Sequence, residues 1–173
     1  MSHEDRMIDV RLTRVVIRDE TDAHIFLTEV EGGRGFPIVI GRTEAAEIHR
    51  VLTSADPPRP MTHRLAYQAI EELGGTITGV DVIGLQDNTF YARLTVERDG
   101  DHKVLDARPS DALALGLRAG CTIRVAESIL EEVRTDESGP DPLPASEEPV
   151  AEKPSTDEPG TGEDADEAAD EEE

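Results

Sequence analysis

The stretch Thr89–Gly120, TFYARLTVERDGDHKVLDARPSDALALGLRAG, decides what kind of fold this chain can adopt. Apolar and polar residues alternate from Thr89 to Arg98, the period of a strand with one buried face. Asp99-Gly100 is a two-residue hairpin signal, because both positions of such a turn need positive φ. It leads into a second strand at Lys103–Asp106. The period then changes. Pro109–Ala119 is apolar nearly all round through Leu113, Leu115 and Leu117, with Gly120 closing it, so it is a helix that must be buried in the domain or at a subunit interface.

Upstream, the same signals give three strands in a row: Met7–Arg18, Ala23–Val30 and Gly35–Ile40, joined by Asp19-Glu20-Thr21-Asp22 and by Gly32-Gly33. Two tight connections in succession predict an antiparallel meander. Helices follow at Thr43–Leu52 and His63–Leu73, the second with Thr62 as its N-cap and Gly74-Gly75 as its stop. Between them, ADPPRP (residues 55–60) holds three prolines and is a rigid loop. A strand at Thr76–Leu85 reaches Thr89 through Gln86-Asp87-Asn88. The chain closes with a short strand at Thr122–Val125 and a helix at Glu127–Val133. Runs of strands separated by runs of helices predict an α+β domain with a mainly antiparallel sheet and three to four helices. Leu113, Leu115 and Leu117 are expected to pack with Ile70 and Leu73 in its core.

Charge divides the 173 residues unevenly. Of a net −22, residues 135–173 carry −15, with 16 acids, one base (Lys153) and six of the eleven prolines. All five aromatics lie before residue 135. The expected organisation is a flexible start at 1–6, a globular domain at 7–134 and a disordered acidic tail at 135–173. Two readings of the tail stay open: a solubility device, or a polyanion that competes with nucleic acid for an arginine-bearing site.

No apolar run is long enough for a bilayer span, and Met1–Met7 has no apolar segment after its charges. Cys121 is the only cysteine, which excludes an internal disulfide and any multi-cysteine metal site. A cytoplasmic protein without membrane contact is expected. Phosphate-loop, dinucleotide-binding, zinc-protease, serine-hydrolase and EF-hand signatures are all missing. Polar residues without a simple local role gather instead at three junctions: Gly41-Arg42-Thr43-Glu44, Pro58-Arg59-Pro60-Met61-Thr62-His63, and Asp106-Ala107-Arg108-Pro109-Ser110-Asp111. Helix N-termini there offer free N–H groups and the positive end of a dipole.

At the last junction, Ser110 or Asp111 capping the helix and Asp106 pairing with Arg108 is one reading. The other has Asp106 and Asp111 converging on a divalent cation while Arg108 grips a phosphate. His63 is either a partly exposed first-turn residue or a general base. Arg59 is either a surface charge or a preorganised anion contact. Glu44 is, most simply, a carboxylate favoured by the dipole of its helix.

These junctions carry a resemblance. Phe36-Pro-Ile-Val-Ile-Gly41, Glu44-Ala45, Pro58-Arg-Pro-Met-Thr-His63, Thr89-Phe-Tyr-Ala92 and Asp106-Ala-Arg-Pro-Ser-Asp-Ala-Leu-Ala-Leu115 resemble, in one colinear pass over about residues 7–133, the bifunctional nuclease family of bacteria and plants. The resemblance implies a small α+β domain and a nuclease acting on RNA and DNA. On that reading Asp106 and Asp111, with Glu44, hold Mg²⁺ or Mn²⁺. Arg59, Arg108 and Ser110 bind substrate, and His63 moves the proton. The alternative is a non-catalytic binding or regulatory module whose polar cluster is an ion-pair network or ligand pocket. A homodimer or higher homo-oligomer is expected, since a small domain with an all-round apolar helix buries surface against a copy of itself.

Overall fold

The structure is a computed structural model that describes residues 5–17, 22–55 and 57–133. The expected tail at 135–173 and most of the expected flexible start lie outside the described residues. Alternation and turn chemistry produce the predicted order. Strands β1 (Met7–Ile17), β2 (Asp22–Glu29) and β3 (Gly35–Gly41) precede helices α1 (Arg42–Thr53) and α2 (Thr62–Glu72). Strands β4 (Thr76–Gln86), β5 (Thr89–Arg98) and β6 (Asp101–Ala107) follow, then α3 (Pro109–Ala119), β7 (Thr122–Ala126) and α4 (Glu127–Glu132).

All strands join one seven-stranded sheet in the order β3-β2-β1-β7-β4-β5-β6. Every neighbouring pair is antiparallel except β4–β7, so the sheet is mixed but mainly antiparallel. The β5–β6 turn has φ 53° at Asp99 and 83° at Gly100, the conformation expected of that dipeptide. Asp87 (φ 48°) and Asn88 (φ 58°) make a second turn of the same kind between β4 and β5.

The sheet is strongly rolled. Strands β3 and β5 stand five places apart in the strand order. In a flat sheet that would put them about 24 Å apart at ~4.8 Å per strand. Yet the rings of Phe36 on β3 and Phe90 on β5 stack with centroids 5.6 Å apart. The roll encloses the core, in which Ile25, Leu27, Phe36, Val80, Val82 and Val125 meet Ile48 of α1, Leu113 of α3 and Ile129 of α4. Helix α3 packs against α1, α2, β4 and β5. It comes close to β4 because residue 116 is glycine: a Cβ there would lie 2.4 Å from Cγ2 of Val80. Buried Glu47 of α1 fastens the two helices through Arg118 of α3, 3.4 Å away, and also pairs with Arg50 at 2.9 Å.

The core differs from expectation on one side. Leu113 is fully buried and Leu115, Leu117 and Ile70 pack against the core, but Leu73 is 69% exposed. Helix α2 contributes no buried residue at all. Its apolar spacing pointed inward by pattern alone, whereas the space over β4 and β5 is already filled by α3. Leu65 of α2 and Val104 and Leu105 of the edge strand β6 are likewise exposed. No helix among the described residues is long and apolar enough to cross a membrane.

Candidate functional site

Helix α2 begins one residue earlier than its pattern suggested. Met61 is the N-cap, and Thr62 is the first helical residue without a capping side-chain bond. His63 thereby sits in the first turn, and its ring crosses to α3. Helix α3 likewise starts from Arg108, with Pro109 at the first position and neither Ser110 nor Asp111 capping it through a side chain. Asp111, in the first turn, is freed from capping and turns its carboxylate towards two other groups.

These contacts form a continuous chain over three elements. His63 Nε2 lies 2.9 Å from Asp111 Oδ1. Arg108 meets the same carboxylate as a fork, Nε to Oδ2 at 2.8 Å and Nη2 to Oδ1 at 3.0 Å. Its Nη2 also lies 3.1 Å from Glu44 Oε1 in the first turn of α1. Burial of Asp111 on its own would raise its carboxyl pKa. The Arg108 fork and the His63 hydrogen bond outweigh that and hold it below the usual carboxylate range. Arg108 is in turn pushed above its ordinary value, first by its hydrogen bond to Asp111.

The proton positions follow from these charges. An ionised Asp111 can only accept, so Nε2 of His63 carries the hydrogen and donates it. In the neutral ring this leaves the lone pair on Nδ1, which makes no hydrogen bond with a described residue. Arg108 has a 65% exposed side chain and spends Nε and Nη2 on its two carboxylates, so Nη1 is the nitrogen not used by these pairs. The arrangement therefore offers an oriented imidazole base beside a guanidinium held by two carboxylates, a pairing suited to proton transfer next to an anion.

The structure brings together four of the seven residues expected at the site: Glu44, His63, Arg108 and Asp111. Asp106 does not pair with Arg108; it stands on β6 opposite Arg93 of β5. Arg108 goes to Asp111 because the helical turn between them puts both side chains on one face. Arg59 is exposed and takes no part in the chain of contacts. Ser110 is 94% buried, at 6% exposure, and lines a groove of about 600 Å³ that it shares with Glu44 and Arg108. The far wall of that groove, formed by Leu85, Asn88, Thr89 and Phe90 from the β4–β5 turn, went unrecognised in the sequence. The signals at hand were the Asp87-Asn88 turn and the Thr89-Phe-Tyr-Ala92 string, and neither says that this turn faces the start of α3.

The described side chains form no ready-made cage for the expected cation. Among the described residues no three His, Cys, Asp or Glu side chains gather where they could hold a metal ion. Oδ1 of Asp111 and Oε1 of Glu44 both face the Arg108 Nη2 nitrogen, at 3.0 and 3.1 Å, so a cationic group already stands between them. Asp106 takes no part in these contacts and stands opposite Arg93 in the sheet.

Fold and site together define a small α+β domain with a histidine–carboxylate–arginine cluster where helices α1, α2 and α3 begin. The chain belongs to the bifunctional nuclease domain family, whose model matches residues 25–138. It is similar to the uncharacterized proteins MT1877 and Rv1829 from two strains of Mycobacterium tuberculosis. Each is 37% identical over 129 residues, covering 75% of this chain and 74% of the relative.

Proposed function

We propose that this protein hydrolyses phosphodiester bonds in RNA and DNA, with His63 as general base, Asp111 as the residue that orients it and Arg108 as the phosphate contact. The observation that carries the reading is the hydrogen bond between His63 and Asp111, which fixes the tautomer with Nδ1 as acceptor. In the reaction, Nδ1 takes a proton from an attacking water and the water oxygen bonds to phosphorus. The phosphorus–oxygen bond to the leaving sugar breaks, and that oxygen receives a proton from the imidazolium. The free N–H groups of Arg108 meet the charge that develops on the phosphoryl oxygens. Mg²⁺ or Mn²⁺ belongs to the proposal only as a component to be varied in the assay. The test is cleavage of labelled single-stranded RNA and DNA with Mg²⁺, Mn²⁺ or EDTA, by the parent chain and by His63→Ala. No cleavage under any of these conditions overturns the proposal.

A second reading is favoured by a specific observation: Arg108 already has two carboxylate partners, as a purely structural ion-pair cluster would. In that case the domain binds without catalysis, and His63→Ala alters stability alone. We also propose a homo-oligomer. Its support is the exposed apolar surface of Leu65 and Leu73 on α2 and of Val104 and Leu105 on the edge strand β6.

A further inference from the structure

We propose that the groove beside the cluster is a base pocket: it takes one unstacked nucleobase of a single-stranded nucleic acid while Arg108 meets the adjoining phosphate. The proposal rests on the phosphodiester reading above and adds to it the form of substrate.

Its volume of about 600 Å³ lies within the roughly 300–1,000 Å³ typical of small-molecule sites. Val39, Leu85, Phe90 and Val133 give it apolar walls, with one aromatic ring among them. Its two charged lining residues, Glu44 and Arg108, are paired with each other at 3.1 Å. The groove lining therefore carries no net charge, which suits a neutral heterocycle, while the exposed side of Arg108 is left for the phosphate at the rim. Polar groups stand on both sides, Asn88 and Thr89 at the β4–β5 turn and Ser110 at the start of α3. Ser110 is 94% buried, at 6% exposure, and its hydroxyl makes no hydrogen bond with a described residue.

That hydroxyl is the central observation: it is open to the groove rather than sealed from it, so a ligand seated there can bond to it. A base edge supplies both donors and acceptors, and the Asn88 amide and Ser110 hydroxyl can answer either kind. An alkyl chain would satisfy the walls but leave these groups unmatched. A base inside a duplex has its faces stacked and its pairing edge occupied, so only an unpaired, splayed base can enter. Arg108 lines the groove and also belongs to the cluster, so a base in the groove brings its own phosphate to the site.

The test uses the full chain carrying His63→Ala, so that cleavage does not consume the probe. Three 5′-labelled probes are compared by fluorescence anisotropy at one salt concentration: a hexathymidylate, an abasic hexamer of equal length and charge, and a blunt duplex. The proposal expects the hexathymidylate to bind about tenfold more tightly than the abasic hexamer, with the duplex no better than the abasic strand. Ser110→Val and Leu85→Asp, each added singly and checked for folding by circular dichroism, should both shrink that ratio. Equal affinity for the base-bearing and abasic strands overturns the pocket. Should a variant fail to fold, the comparison of probes on the His63→Ala chain still decides. Parallel cleavage assays on the parent chain separate the two ideas. Cleavage without base preference keeps the nuclease and removes the pocket; base preference without cleavage does the reverse.

Discussion

His63 and Asp111 are 48 positions apart in sequence, and their side chains are joined by a 2.9 Å hydrogen bond. Each lies in the first turn of its own helix, and α2 and α3 pack side by side. The bond gives each residue a definite state, a carboxylate on Asp111 and a protonated Nε2 on His63. Arg108 strengthens the first by adding its fork to the same carboxylate.

Replacing His63 with alanine should reduce cleavage of single-stranded oligonucleotides by about 10²–10⁴-fold, the usual contribution of a positioned base. Asp111→Asn should cost less than His63→Ala, and the double variant little more than His63→Ala alone, because the two residues act as a unit. Initial rates on a fluorogenic substrate measure this. Additive losses in the double variant would mean that the pair does not act together.

Acid should weaken the cluster. The carboxyl of Asp111 is held below its ordinary value of 3.8 in the folded chain, and a group depressed by folding stabilises the fold above its unfolded pKa. That contribution is lost as pH falls through the folded value. The thermal midpoint of Asp111→Asn should therefore lie below that of the parent at about pH 7, and the gap should close below about pH 4. Melting both proteins from about pH 7 down to about pH 2 checks the sign. A gap that widens in acid would contradict it.

Gly116→Ala should destabilise the domain although alanine is the better helix former. The gain in propensity is about 1 kcal/mol, whereas the new Cβ would stand 2.4 Å from Val80 Cγ2 in a packed interior. Overpacking of this kind costs about 1–3 kcal/mol. Urea denaturation should show a lowered midpoint, and adding Val80→Ala should recover part of the loss. A midpoint equal to the parent's would show that α3 can move away from β4.

Light scattering at micromolar concentration should give a mass above that of one chain. Leu65→Glu combined with Leu73→Glu should lower it to the monomer, since both side chains are exposed and can be charged without disturbing the core. A monomeric parent rules out the oligomer.

Much of the fold could be read from local patterns. Alternation marked β5, Asp99-Gly100 marked its turn to β6, and the all-round apolar run before Gly120 marked α3, whose Gly120 has φ 66°. Such signals act within a few residues of the chain, so sequence carries them whole. The same logic failed at α2. Its apolar spacing is as regular as that of a core helix, but spacing does not say which helix occupies the space over the sheet. Leu73 was left outside for that reason.

The candidate site was legible as residue types and illegible as partners. By itself the sequence determined that Glu44, His63, Arg108 and Asp111 stand at starts of helices, because cap and proline signals place those starts. Tertiary structure alone decided that Arg108 pairs with Asp111 and Glu44 rather than Asp106, and that Asp106 faces Arg93 along the sheet. It also decided that β3 and the β4–β5 turn meet to wall a groove, through a roll that sets Phe36 on Phe90. The physical reason is range. Propensity and capping are properties of neighbouring residues, whereas strand order, the rolling of a sheet and the crossing of helices depend on how the whole apolar surface is buried at once.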